Sequence, residues 1–158
     1  MNDFVSTPVR ASVIIPSYND SDRLNGCLEA LDCQTVRSSL EIIVSLDGGN
    51  PLPPQVLEKA DLIVSRPHSG PASARNRGWR ASSGEYILFT DSDCIPETDW
   101  AEKLLSVLTE GADAVKGAYS SGGSLIIQRL AQIEFEERYK LLSKHGDTDL
   151  VDTYSAAF

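Results

Sequence analysis

Tyr86-Ile87-Leu88-Phe89-Thr90-Asp91-Ser92-Asp93 is a short apolar run that ends abruptly in two carboxylates one residue apart. A run this short, rich in aromatic and β-branched residues, reads as a buried strand. Working outward, the same unit of strand and polar loop recurs. Residues 11–15, Ala-Ser-Val-Ile-Ile, stop at Pro16 and lead into Ser17-Tyr18-Asn19-Asp20. Residues 40–46 are apolar apart from Glu41 and Ser45 and run into Asp47-Gly48-Gly49-Asn50-Pro51, a turn-rich stretch. Leu62-Ile63-Val64 is followed by Arg66 and His68.

Between these strands lie helical patterns. Leu24, Leu28 and Leu31 have helical spacing over 22–33, and a short helix is expected over 55–60. Ser69-Gly70-Pro71 opens a helix to about residue 82, with Pro at the first helical position. Pro96-Glu97-Thr98-Asp99 opens another that reaches residue 108. A weaker strand follows at 114–117. A long helix over 125–144 carries the apolar stripe Ile126, Leu130, Ile133 and Leu141 and closes at His145-Gly146. Strands alternating with helices predict an α/β fold with a mostly parallel sheet, which binds ligands at the carboxyl ends of its strands. The polar loops above all fall there, so one rim of the sheet is the expected site.

The chain has 158 residues, enough for one domain with a real core. Its 14 basic and 23 acidic residues leave a formal charge of −9, which excludes a general nucleic-acid-binding surface. From Leu62 to Gly84 there is no acidic residue, whereas Arg66, Arg75, Arg77 and Arg80 all lie inside, so a small anionic partner is expected there. On a helical wheel Ala74, Gly78 and Ala81 share a small face. Arg75 is placed at its edge and is expected to reach the site, with Arg77 and Arg80 pointing away. Cys27, Cys33 and Cys94 form no CxxC pair and read as reduced thiols of a cytoplasmic protein. No signal-peptide pattern or run of about 18 apolar residues is present. The closing run Tyr154-Ser155-Ala156-Ala157-Phe158 looks like the start of an element, and a longer parent chain is expected, with a contact to the inner membrane face made through that longer chain.

Asp91 and Asp93 suit a hard divalent cation, which takes oxygen ligands and keeps other positions for water and phosphate. An Asp-x-Asp also reads as a turn capping the next helix. Asp47 reads either as a turn carboxylate or as an acceptor for the ring N–H of a base such as uracil. Tyr18 reads as a stacking residue or a packed loop residue. His68 and His145 are isolated and read as structural or solvent-facing.

Four blocks together, Val13–Asn19, Ile42–Gly49, Gly70–Gly78 and Gly84–Asp93, strongly resemble family 2 glycosyltransferases of the GT-A (Rossmann-like) fold over residues 11–120. The resemblance implies a transferase, hexosyltransferase in type, that moves a sugar from a nucleotide-diphosphate donor to an acceptor hydroxyl. It implies inversion, a Mn²⁺ or Mg²⁺ cofactor, and a UDP-sugar as the favoured donor. The acceptor, a saccharide, a lipid or another hydroxyl compound, is not specified. By the same resemblance Pro16, Tyr18 and Asp47 match nucleoside-contacting positions, Arg75 matches the arginine near base and diphosphate, and Asp91 and Asp93 match the metal motif. Leu46 and Gly49 depart from the family pattern. No acidic residue matches the family's catalytic base; Asp147, Asp149 and Asp152 lack its context. The implied division is an extension at 1–10, a core at 11–120, and at 121–158 the long helix with the start of an acceptor-side part. The rival reading is a donor-binding fragment or degenerate module without transfer activity.

Overall fold

The computed structural model of the chain describes residues 10–118, 132, 133, 136, 137, 140, 153 and 155–158. In chain order the elements are β1 (Ala11–Ser17), α1 (Ser21–Asp32), β2 (Leu40–Leu46), α2 (Pro54–Leu57), β3 (Leu62–Ser65), α3 (Pro71–Ala81), β4 (Tyr86–Thr90), α4 (Trp100–Thr109), β5 (Val115–Lys116) and β6 (Ser155–Ala157). The strands of the described residues form one sheet in the order β3-β2-β1-β4-β6-β5. β1 to β4 are mutually parallel, whereas β6 runs antiparallel between β4 and β5. The α/β class and the mostly parallel sheet are therefore as the sequence pattern predicts.

Both faces of the central strands are covered, which is why they read as unbroken apolar runs. Side chains alternate across the sheet. Val13, Ile15, Ile42, Val44 and Leu88 pack with Leu24, Leu28 and Leu31 of α1 and Leu104, Leu105 and Leu108 of α4. Ile14 points the other way, against α3, where a methyl added at Gly78 would collide with the Ile14 side chain. Ile14 is fully buried on a central strand and has nowhere to move. Gly78→Ala is thus expected to destabilise the fold by about 1–3 kcal/mol through overpacking, despite alanine's better helix propensity. Chemical denaturation would measure it, and a neutral or stabilising result would show that α3 sits further from the sheet.

Three boundaries depart from the sequence reading. β1 passes through Pro16 to Ser17 rather than stopping, because β4 pairs only with Ala11–Ile14 and leaves Pro16 with one strand neighbour instead of two. α4 begins at Trp100, not near Pro96. The Glu97 carbonyl accepts from Gln34 Nε2 at 2.7 Å and the Thr98 carbonyl from the Thr35 N–H at 2.9 Å, which ties this segment to the end of α1. Residues 155–157, placed by sequence beyond the core, lie inside the core sheet as β6. Within the helix expected over 125–144, Gln132, Ile133, Glu136, Glu137 and Lys140 are helical, and Ile133 is exposed. Ile126, Leu130, Leu141, His145, Asp147, Asp149 and Asp152 lie outside the described residues. Among the described residues no helix is long and apolar enough to cross a membrane.

Candidate functional site

Parallel pairing sets the carboxyl ends of β1, β2 and β4 side by side, and the loops beyond them enclose an open cleft of about 520 Å³. Pro16, Tyr18, Asp47, Arg75, Asp91 and Asp93 all line it, and Asp20, Arg23, His68 and Ser92 join them. Arg66 also follows a strand but lines a separate hollow with Arg77 and Arg80 beside β3.

Asp47, one residue past β2, is buried with its side chain 4% exposed. Oδ1 accepts from Ser69 N at 3.0 Å, the Ser69 hydroxyl at 3.2 Å and Arg77 Nη2 at 2.8 Å. Oδ2 accepts from Gly70 N at 2.8 Å and faces His68 Nδ1, also at 2.8 Å. Burial by itself raises the carboxyl's pKa, but the bonds from Arg77, Ser69 and Gly70 outweigh it and lower it to about 2. Gly70 takes φ 93°, a conformation glycine adopts without strain, at the N-cap of α3. With both oxygens occupied, this carboxylate is the peg that fixes the turn between β3 and α3 to the end of β2.

Two expectations are corrected here. Arg77 does not point into solvent: its side chain is 17% exposed and its guanidinium reaches Asp47, Ser69 and the Leu46 carbonyl. Three residues after Ala74, it stands only about 60° round the helix from the packed face, and its long stem spans the rest. Arg80 is exposed, as expected. His68 is solvent-facing, as expected, with its side chain 60% exposed, but it is not isolated: its ring lies 4.6 Å from that of Tyr18, centroid to centroid, and both face the cleft.

On the β4 side, Arg75 Nη2 donates to Asp91 Oδ1 at 2.5 Å, both side chains being largely buried. Asp93 is half-exposed and lies 3.7 Å from Arg23. Asp20 spans two loops, accepting from the Ser17 hydroxyl at 2.6 Å and, through its other oxygen, from the Ser92 hydroxyl. Ser92 separates Asp91 from Asp93, so Asp20 sets the conformation of the acidic loop from the end of β1. Asp20 stands with Tyr18 in the loop after β1 and His68 in the loop after β3, and that post-strand position is the signal that finds them. Arg23 reaches back from α1, and nothing in its spacing marks it.

No cluster of three His, Cys, Asp or Glu side chains suited to a metal occurs among the described residues. Asp91 and Asp93 alone are too few for a caged Ca²⁺ or a structural Zn²⁺. They fit a hard cation of the Mg²⁺ or Mn²⁺ kind, which completes its shell with water and phosphate oxygens. The cleft therefore offers paired carboxylates, a guanidinium and an aromatic pair within one opening, a set suited to an anion that carries a flat ring.

The family model described as glycosyl transferase family 2 matches residues 12–156. Among curated relatives, glycosyltransferase AglE of Haloferax volcanii is 33% identical over 132 residues, covering 75% of this chain and 43% of that protein. The putative glycosyltransferase EpsH of Bacillus subtilis is 30% identical over 156 residues, covering 95% of this chain and 40% of that protein. The chain thus spans less than half the length of either. Among solved structures, a mannosyltransferase from Pyrobaculum calidifontis in complex with GDP-Man and Mn²⁺ superposes with a TM-score of 0.75 at 21% identity, over 97% of this chain and 45% of that one. TarS of S. aureus gives 0.64 at 24% identity, over 74% and 23%.

Proposed function

Because the chain belongs to glycosyl transferase family 2, we propose that its cleft binds a nucleotide-diphosphate sugar, a UDP-sugar by preference, for transfer of the hexosyl group to an acceptor hydroxyl with inversion. The observation that carries this reading is the convergence of Tyr18, Arg75, Asp91 and Asp93 on one opening. In it, Tyr18, half-exposed beside Pro16, stacks on the nucleoside base. Asp47 serves the nucleoside end through the turn it holds. Arg75 meets the diphosphate, where its fixed charge stabilises the negative charge that grows on the leaving group. Asp91 and Asp93 would hold a Mn²⁺ or Mg²⁺, which supplies Lewis-acid charge at the diphosphate when bound.

Attack at the anomeric carbon requires a base to take the acceptor's proton. We assign that role to no residue of this chain. We place the protein in the cytoplasm, a reading supported by three free thiols, with any contact to the inner membrane face made by a longer chain. The test is a thermal-shift screen of UDP-, GDP-, CDP- and ADP-sugars with and without Mn²⁺. A cation-dependent stabilisation by at least one donor is expected. No shift with any of them would overturn the reading.

A further inference from the structure

Asp47 lines the cleft but is nearly fully buried, and both of its oxygens already accept hydrogen bonds within the protein. The group beside it that is open to the cleft with most of its side chain is His68. Its side chain is 60% exposed, and its Nδ1 lies 2.8 Å from Asp47 Oδ2 and 3.2 Å from the Asp47 carbonyl oxygen. Both neighbours are acceptors, so Nδ1 must carry the hydrogen. In a neutral imidazole that leaves Nε2 as a bare lone pair. Nε2 makes no hydrogen bond to any described residue. Arg77 already supplies the counter-charge to Asp47, so the imidazole need not be charged to make this contact.

We propose that His68, held in one tautomer by Asp47, selects the donor's base by accepting a ring N–H at Nε2. Resting on the donor-binding reading above, this names the chemistry of the base. Uracil and thymine offer such an N–H at N3 and guanine at N1. Cytosine and adenine present a lone pair at the matching ring nitrogen, which would face the Nε2 lone pair and leave both without a partner. The Tyr18 ring, 4.6 Å from the imidazole and tilted by 34°, supplies sequence-blind stacking, so it adds affinity without choosing among bases.

The test is calorimetric binding of UDP, GDP, CDP and ADP with Mn²⁺ to the unaltered chain and to His68→Phe. Phenylalanine keeps a ring beside Tyr18 and removes both nitrogens, and Asp47 keeps its bonds to Ser69, Gly70 and Arg77. The unaltered chain is expected to favour UDP or GDP over CDP and ADP on the order of tenfold, the scale of one hydrogen bond against one unsatisfied pair. Which of the two wins separates a pyrimidine from a purine pocket. His68→Phe should bring all four within about twofold of one another. Equal binding of the four by the unaltered chain, or a preference kept intact by His68→Phe at an unchanged melting temperature, overturns the His68 assignment while leaving donor binding in place. Failure of every diphosphate to bind takes both readings down.

Discussion

The double variant Asp91→Ala with Asp93→Ala is expected to lose all cation dependence of donor binding, and any sugar-transfer activity should fall by on the order of a thousandfold. Asp91 and Asp93 are the carboxylates that the cleft sets just past the end of β4 among the described residues, and each one removed returns ligand positions to water. Arg75 survives the change. Freed from Asp91, its guanidinium remains at the cleft and keeps a weak affinity for diphosphate that Mn²⁺ no longer improves. The decisive measurement is the donor dissociation constant with and without Mn²⁺ in both proteins. If the cation still tightens binding in the double variant to the original degree, these residues cap a turn and nothing more.

Asp47→Ala is the substitution with the largest expected cost in stability, about 3–5 kcal/mol. It strands the Arg77 guanidinium, largely buried, without its counter-charge, and it leaves the Ser69 and Gly70 N–H groups without an acceptor. Domains of this size are stable by only about 5–15 kcal/mol, so the variant stands near the edge of folding. The same carboxylate predicts a pH dependence. Its pKa is lowered from 3.8 to about 2, so its contribution is complete above the unfolded value and is lost as pH falls from there through about 2. By linkage that amounts to about 2 kcal/mol. Denaturant unfolding at neutral pH and at pH 2.5 checks both figures. A loss under about 1 kcal/mol in Asp47→Ala would mean that the turn between β3 and α3 is held by other contacts.

The central strands are legible from sequence because each is a continuous apolar run cut off by a polar loop, and the bounds of β2 and β4 are those the residues suggest. The shared rim follows from parallel pairing alone. Other features depend on partners that local pattern does not carry. Ser155-Ala156-Ala157 has neither branching nor alternation, and it is a strand only because β4 and β5 flank it. Pro96-Glu97 has the letters of a helix start, yet Gln34 and Thr35, more than sixty positions earlier, intervene: Gln34 Oε1 accepts from the Ala101 N–H that a helix begun there would turn to Glu97, and the Thr35 N–H donates to the Thr98 carbonyl. At the site, residue type singles out Asp47 but not its role. A carboxylate at a rim reads as a ligand-binding group, and only the positions of Ser69, Gly70, Arg77 and His68 show that its capacity is already used.

The antiparallel insertion of β6 has a consequence for how the molecule is made. β1 to β3 are joined by short connections within residues 11–65, and β4 then adds to β1 across the longer span that pairs Ala11 with Tyr86. β4, whose end leads into Asp91, gains its second neighbour only when residues 155–157 arrive, across a closure of more than sixty residues. Until then one side of β4 presents bare amides and carbonyls to whatever passes, the condition under which nascent sheets recruit wrong partners. Synthesis therefore leaves the acidic end of the cleft as the last part of the site to gain its full support.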